Sequence, residues 1–227
     1  MISFYTLTLG REFYLKKLIA SMQNSCNGEY EHYIAFQGCD ASDELREIIN
    51  ADSRIKPLFW QENCGAGEGN NKVIQHLKGD IVAKLDDDAL IHSKDYDMHI
   101  KAIMDIGKKN IIISPYPVGL INNPGGVPKK AQHEVGYSKE TNTYYTFRPV
   151  DHIGGFARVA PSHIVKNFQW PYDLSTTSSG SEDSNFSAHC RQNGIRMFYM
   201  ENSIVVEHQE STLGQHVRDE NYFKGRF

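Results

Sequence analysis

The chain has 227 residues, 40% of them hydrophobic and 23% charged, with a formal net charge of −4. That length suits one α/β domain with its own core, and the mild negative charge argues against any broad attraction to nucleic acid or anionic lipid. The four cysteines, Cys26, Cys39, Cys64 and Cys190, form no CxxC pair, which argues against a zinc site or a disulfide framework and fits a reduced cytoplasmic setting.

In chain order, residues 2–9 are β-rich and stop at Gly10. Residues 12–22 place Leu15, Leu18, Ile19 and Met22 on one helical face. A second strand is expected over 31–36, followed by a helix capped by Ser42 with Leu45, Ile48 and Ile49 turned inward. Residues 55–60 read as a third strand. A glycine-rich loop over 63–69 leads into a helix near 70–77, and a fourth strand over 80–85 stops at Asp86, Asp87 and Asp88. Strands alternating with helices imply βαβ units and a mostly parallel sheet, with ligands beyond the carboxyl ends of the strands. Segments 8–11, 37–40, 63–69 and 86–88 all follow strands, so they are expected to share one rim.

The second half is less regular. A helix over 95–106 and a strand over 110–114 precede a Pro- and Gly-rich stretch, 115–136, which reads as a long loop of the kind that often serves as a lid. Its Lys129 and Lys130 read as a solvated pair. Residues 144–150 and 153–159 read as strands around Gly154 and Gly155, Ser181 as the cap of a helix running to about Asn193, and 196–200 and 203–206 as short strands. No linker is visible. One domain is expected, with a nucleotide-binding half over 1–90, an acceptor and catalytic half over 91–210, and a polar tail over 211–227. The N-terminal apolar run breaks at Arg11, too soon for a secretion signal, and no stretch approaches about 18 apolar residues, so a soluble protein without a membrane span is expected.

Three adjacent carboxylates at a strand end repel one another, and a divalent cation relieves that repulsion. Hard oxygen ligands favour Mn2+ or Mg2+. An ion held by one or two carboxylates keeps positions for substrate phosphates and can neutralise charge on a departing diphosphate. Taken alone, the aspartates fit a solvated turn as well as a site. The glycines from Gly65 to Gly69 fit a flexible turn as well as a phosphate cradle, and the Gly-Lys-Ser/Thr ending of a P-loop is missing.

In combination, Asn63-x-Gly65, Asn71, Gly79-Asp80 and Leu85-Asp86-Asp87-Asp88 resemble the core of family 2 glycosyltransferases, whose pattern runs N-x-G, N, G-D, L-D-x-D. Thr8-Leu9-Gly10-Arg11 with Tyr14-Leu15 resembles the family's opening. Gly180-Ser181-Glu182-Asp183 with Gly194 resembles its G-E-D helix, with one extra residue after Gly180, and His208 stands where such enzymes often end in a histidine. The resemblance spans roughly residues 2–210. It implies an α/β protein with a single domain of the glycosyltransferase A (GT-A) fold, a mostly parallel central sheet flanked by helices. Four positions depart from the pattern: Leu7 replaces a proline, Gln37 or Gly38 an acidic residue near the base, Asn70 an arginine or lysine, and His189 an arginine.

The resemblance further implies an inverting, metal-dependent glycosyltransferase that takes a sugar from a nucleotide diphosphate, a UDP-sugar favoured over a GDP-sugar. Asp88 is the implied ligand of Mn2+ or Mg2+, with Asp86 at the ribose or the metal shell, Asp87 beside the donor or structural, and His208 a further ligand. Asp183 is the implied general base, kept ionised by a helix start, and Glu182 its catalytic neighbour or a holder of the acceptor. Thr8, Arg11, Gln37, Asn63, Gly65, Asn71 and Gly155 are placed around the donor.

Plainer readings stand beside these. Arg11 also fits a surface helix, Glu182 and Asp183 ordinary first-turn charge after Ser181, Asn63, Asn70 and Asn71 a braced loop, and Gly154-Gly155 a bulge. Trp170 and Tyr172 fit core aromatics or a stacking platform for an acceptor sugar. His152, His163 and His216 have no comparable support. The acceptor stays open among a glycan, a lipid-linked sugar, a protein and a modified nucleobase, with no other nucleic-acid partner, in the cytoplasm of a bacterial or virus-infected cell. Two rivals remain: a nucleotidyltransferase that makes the nucleotide sugar, and a non-catalytic sugar- or nucleotide-binding module.

Overall fold

A computed structural model describes residues 1–107, 110–119, 132–171 and 181–209. Its elements in order are β1 (Ile2–Thr8), α1 (Glu12–Ser25), β2 (Tyr30–Gln37), α2 (Asp43–Ala51), β3 (Ile55–Trp60), α3 (Gly65–Ile74), β4 (Ile81–Leu85), β5 (Ala89–Ile91), α4 (Tyr96–Ile106), β6 (Ile111–Ser114), β7 (Tyr116–Val118), β8 (Glu134–Ser138), β9 (Thr143–Val150), β10 (Ala157–Pro161), α5 (Ser162–Lys166), α6 (Ser181–Gln192), β11 (Arg196–Met200) and β12 (Val205–His208).

Nine strands form one sheet in the order β3-β2-β1-β4-β10-β6-β11-β9-β8, and β5-β12-β7 form a small second sheet. Strands β3, β2, β1 and β4 are all parallel. Strand β10 enters antiparallel between β4 and β6, β6 and β11 are parallel, and β9 and β8 close the sheet antiparallel. The first half is thus the expected parallel array, and the second half makes the sheet mixed.

Alternation along each strand divides the core in two. Ile2 and Phe4 face α1, α2 and α4 through Leu15, Leu45 and Ile100. Tyr5 faces α3, α5 and α6 through Val73, Ile164 and Phe186. Every residue of β2 is buried, as in strands covered on both faces. Each fully buried Leu, Ile or Phe contributes about 1.5–3 kcal/mol relative to exposure. Ser42 caps α2 as expected, its hydroxyl accepting from the Leu45 N–H at 3.3 Å.

Several elements differ from the sequence expectation. The glycine stretch is not a loop before a helix: α3 begins at Gly65. Its glycines serve close packing, since a Cβ at Gly67 would overlap the Pro171 carbonyl oxygen and one at Gly69 would touch Leu7 and Gln37. The strand expected over 153–159 begins only at Ala157, because the Gly155 amide and carbonyl bond to side chains instead of a neighbouring strand. Within 115–136, residues 116–118 and 134–136 belong to strands β7 and β8. Strands β5, β7 and β8 and helix α5 are short pieces of three to five residues, below the length at which periodicity speaks. Lys129, Lys130, Tyr172, Gly180, His216 and the rest of the tail lie outside the described residues. Among those described, no helix is long and apolar enough to cross a membrane, and the four cysteines are free.

Candidate active site

Parallel pairing of β1 to β4 brings their carboxyl ends, at Thr8, Gln37, Trp60 and Leu85, to one rim. Because β10 runs the other way and pairs Ala157 with Leu85, the turn before it, residues 153–156, reaches the same rim. The Asp86 N–H donates to the Phe156 carbonyl at 2.8 Å and joins the two. The β12–β5 register sets His208 opposite Ala89, beside Asp88. The Gln209 N–H then closes on the Asp88 carbonyl at 2.9 Å, and its side-chain amide on the Ala89 carbonyl at 3.2 Å.

The three aspartates have three environments. Asp87 is buried and accepts from the Thr8 hydroxyl at 2.7 Å and from the Arg11 guanidinium. Burial holds its carboxyl above the usual range even though Arg11 opposes the shift. For Arg11 itself burial works downward, but Asp87, Asp88 and Asp86 outweigh it and raise the guanidinium. Asp88 is 1% exposed, and neither of its carboxylate oxygens accepts a hydrogen bond from the described residues. His208 Nδ1 lies 3.3 Å from one oxygen and Arg11 Nη2 3.6 Å from the other. Burial pushes this carboxyl up to about 6, against the pull of Arg11 and His208. Asp86 is the outward member, and Lys84 Nζ donates to it at 2.7 Å.

Asp183 lies in the first turn of α6. Its Oδ2 accepts from the Gly155 N–H at 2.6 Å, and its Oδ1 lies 3.2 Å from Arg158 Nη1. The Gly155 carbonyl accepts in turn from Lys84 Nζ at 2.7 Å. Asp86, Lys84, Gly155 and Asp183 therefore form one continuous chain of contacts. Glu182 is half-buried beside Asp183.

Other expected site residues brace this rim. Gln37 is buried and accepts from the Cys64 thiol at 3.2 Å. Asn63 Oδ1 accepts from the N–H of Gly65, whose φ is +76°, so the pair turns the chain into α3. Asn71 bonds the Trp170 backbone in both directions at 3.0 Å, and Asn70 Oδ1 accepts from Tyr5 at 3.0 Å. Trp170 is a core aromatic, stacked on Phe186 at 4.9 Å. Thr8 and Arg11 reach the rim through Asp87. Sequence reasoning gave no role to Lys84, Arg158 or Gln209. The available signal was a lysine and an arginine inside otherwise apolar strand segments.

The residues present fit a hard divalent cation. A desolvated carboxylate whose two oxygens lack donors among the described residues stands beside an imidazole nitrogen and near a second carboxylate. No cluster of three or more His, Cys, Asp or Glu side chains converges among the described residues.

Residues 3–161, well over half of the chain, match the model for glycosyl transferase family 2. No curated protein matches the sequence significantly. Among solved structures, the chain is similar to S. aureus TarS 1-349, with a TM-score of 0.67, 16% identity, and coverage of 98% of this chain and 62% of that one. TarS has also been solved with UDP and with UDP-GlcNAc. GalNAc-T7 with UDP, GalNAc and Mn2+ aligns with a TM-score of 0.69 at 14% identity, over 92% of this chain and 43% of that one. The mannosyltransferase PcManGT from Pyrobaculum calidifontis, with GDP-Man and Mn2+, aligns with a TM-score of 0.67 at 13% identity, over 99% and 61%. The chain spans about three fifths of the TarS fragment and of the mannosyltransferase. At these identities the likeness establishes a shared fold, the GT-A fold expected from the sequence.

Proposed function

Because the chain belongs to glycosyl transferase family 2, we propose that it moves a sugar from a nucleotide diphosphate, a UDP-sugar in preference to a GDP-sugar, onto an acceptor hydroxyl with inversion. The observation that carries this reading is the short path from the aspartate cluster to Asp183 through Lys84 and Gly155. A transferase needs its donor-side groups and its base on opposite sides of one reacting carbon.

Asp88 and His208 would hold Mn2+ or Mg2+, with Asp86 close by. Bound there, the cation would neutralise charge on the departing diphosphate. Thr8 and Arg11 keep Asp87 engaged and so fix the loop that presents Asp88. The Gly155 amide and Arg158 orient the Asp183 carboxylate, and each of its oxygens retains a lone pair. Asp183 takes the acceptor proton as the acceptor oxygen bonds the anomeric carbon and the bond to the diphosphate oxygen breaks. The Mn2+, UDP, UDP-GlcNAc and GDP-Man held by the structural neighbours support this donor class, and the free cysteines support a reducing, cytoplasmic setting. A nucleotidyltransferase is disfavoured, because Arg11, the cation of the loop after β1, is engaged by Asp87 and Asp88.

Asp183→Asn is expected to lower the rate of UDP release from a UDP-sugar by about 10²–10⁴ while leaving affinity for UDP and Mn2+ nearly intact. Asp88→Ala should abolish Mn2+-dependent nucleotide binding in calorimetry. Unchanged turnover in Asp183→Asn would remove Asp183 from the reaction.

A further inference from the structure

Strand β4 is apolar except at Lys84, which is 8% exposed and faces the α3 and α6 side of the sheet. Its neighbours at the same level are Tyr5 on β1 and Arg158 on β10. Arg158 is 3% exposed, and its guanidinium lies 4.8 Å from the Trp170 ring and 4.4 Å from that of Phe186. Two cations directly opposite each other on antiparallel strands repel. An apolar pair of similar size would often serve the sheet at least as well.

Two carboxylates offset this arrangement, one at each end. Asp86 Oδ1 sits 2.7 Å from Lys84 Nζ and Asp183 Oδ1 sits 3.2 Å from Arg158 Nη1. Between them, Gly155 is held by its carbonyl on Lys84 and by its amide on Asp183. A Cβ at this residue would stand 2.5 Å from Asp183 Oδ1, so only glycine lets the turn lie against the carboxylate.

The geometry points to Lys84 as a positioning residue that fixes the spacing of Asp86, on the donor side, and Asp183, on the acceptor side, through Gly155. This rests on the reading of Asp183 as the base and deepens it. In this role Lys84 acts only through Asp86 and Gly155. Its buried ammonium, with donors to both a carboxylate and a carbonyl, keeps the turn from drifting. A shift of the order of 1 Å between reacting groups can cost about a hundredfold in rate.

The test uses the full chain with Mn2+ and either UDP-GlcNAc or GDP-mannose, and measures nucleotide release alongside thermal unfolding and affinity for the free nucleotide. Lys84→Met keeps the apolar stem and removes the ammonium. Asp86 is 34% exposed and can turn to water, so the fold is expected to hold, with a melting temperature within about 4 °C of the wild type. The expected result is a kcat about 10–100 times lower, nucleotide affinity within about threefold, and partial recovery in Lys84→Arg. In an Asp183→Asn background, Lys84→Met should cost less than about twofold, because the group it positions is gone.

An equal loss with and without Asp183→Asn, or wild-type turnover in Lys84→Met, overturns the inference. If Lys84→Met does not fold, Gly155→Ala breaks the same link from the other side. It should reproduce the loss and its dependence on Asp183, and unchanged kcat in Gly155→Ala overturns the inference as well. Failure of the wild type to release nucleotide from either sugar overturns the transferase reading itself. A wild type that turns over while Lys84→Met matches it overturns only the role of Lys84.

Discussion

Asp88 and His32 are two buried groups that pull stability in opposite directions with pH. The Asp88 carboxyl rises from 3.8 to about 6 on folding because burial disfavours its charge. Between those values the metal-free native state binds a proton that the unfolded chain does not. Its stabilising contribution is therefore full below 3.8 and is lost as pH rises through 6. His32, wholly buried and 2.9 Å from the Thr6 hydroxyl, is lowered by burial from 6.5 to about 3. It stays neutral in the fold, so its contribution is present above 6.5 and is lost as pH falls toward 3. Asp88→Asn is expected to make the metal-free protein more stable than the wild type near neutral pH and to lose that advantage at about pH 4. In that background, urea unfolding should still weaken by about 2 kcal/mol between pH 7 and pH 5, and His32→Gln should flatten the slope. The aspartate itself was legible in the sequence. Its lack of hydrogen-bond donors among the described residues was not, because that depends on what packs around it.

Helix α3 and the turn at 153–156 show how element boundaries depend on distant neighbours. Three glycines in five residues speak against a helix on propensity, yet Gly65 to Gly69 are helical because α3 lies against the chain at 170–171. Asn71 completes that docking by bonding the Trp170 backbone twice. Gly67→Ala should accordingly destabilise the protein by about 1–3 kcal/mol, although alanine is the better helix former. A gain in denaturant midpoint for that variant would show that the Pro171 carbonyl yields freely. Residues 153–156 failed as a strand for a related reason, since the Gly155 carbonyl and amide are taken by Lys84 and Asp183 and the Ile153 N–H by the Ser187 hydroxyl.

Taken as a whole, the molecule is a rim of strand ends assembled from both halves of the chain, with a desolvated carboxylate as its electrostatic weak point. A cation binding there should raise stability by mass action, by about 2.7 kcal/mol at a hundredfold excess over its Kd. Mn2+ with UDP is thus expected to raise the melting temperature of the wild type, and to leave Asp88→Ala unmoved in the same scan. The sequence by itself determined the parallel βαβ half, the helix faces, the aspartate cluster and the family, because these rest on local periodicity and on residues close in the chain. The tertiary structure alone decided the antiparallel insertion of β10, the meeting of His208 with Asp88, and the contact chain from Asp86 through Lys84 and Gly155 to Asp183. Those depend on strand register and on pairing between residues about 30 to 120 positions apart, for which no local pattern in an amino-acid sequence carries a signal.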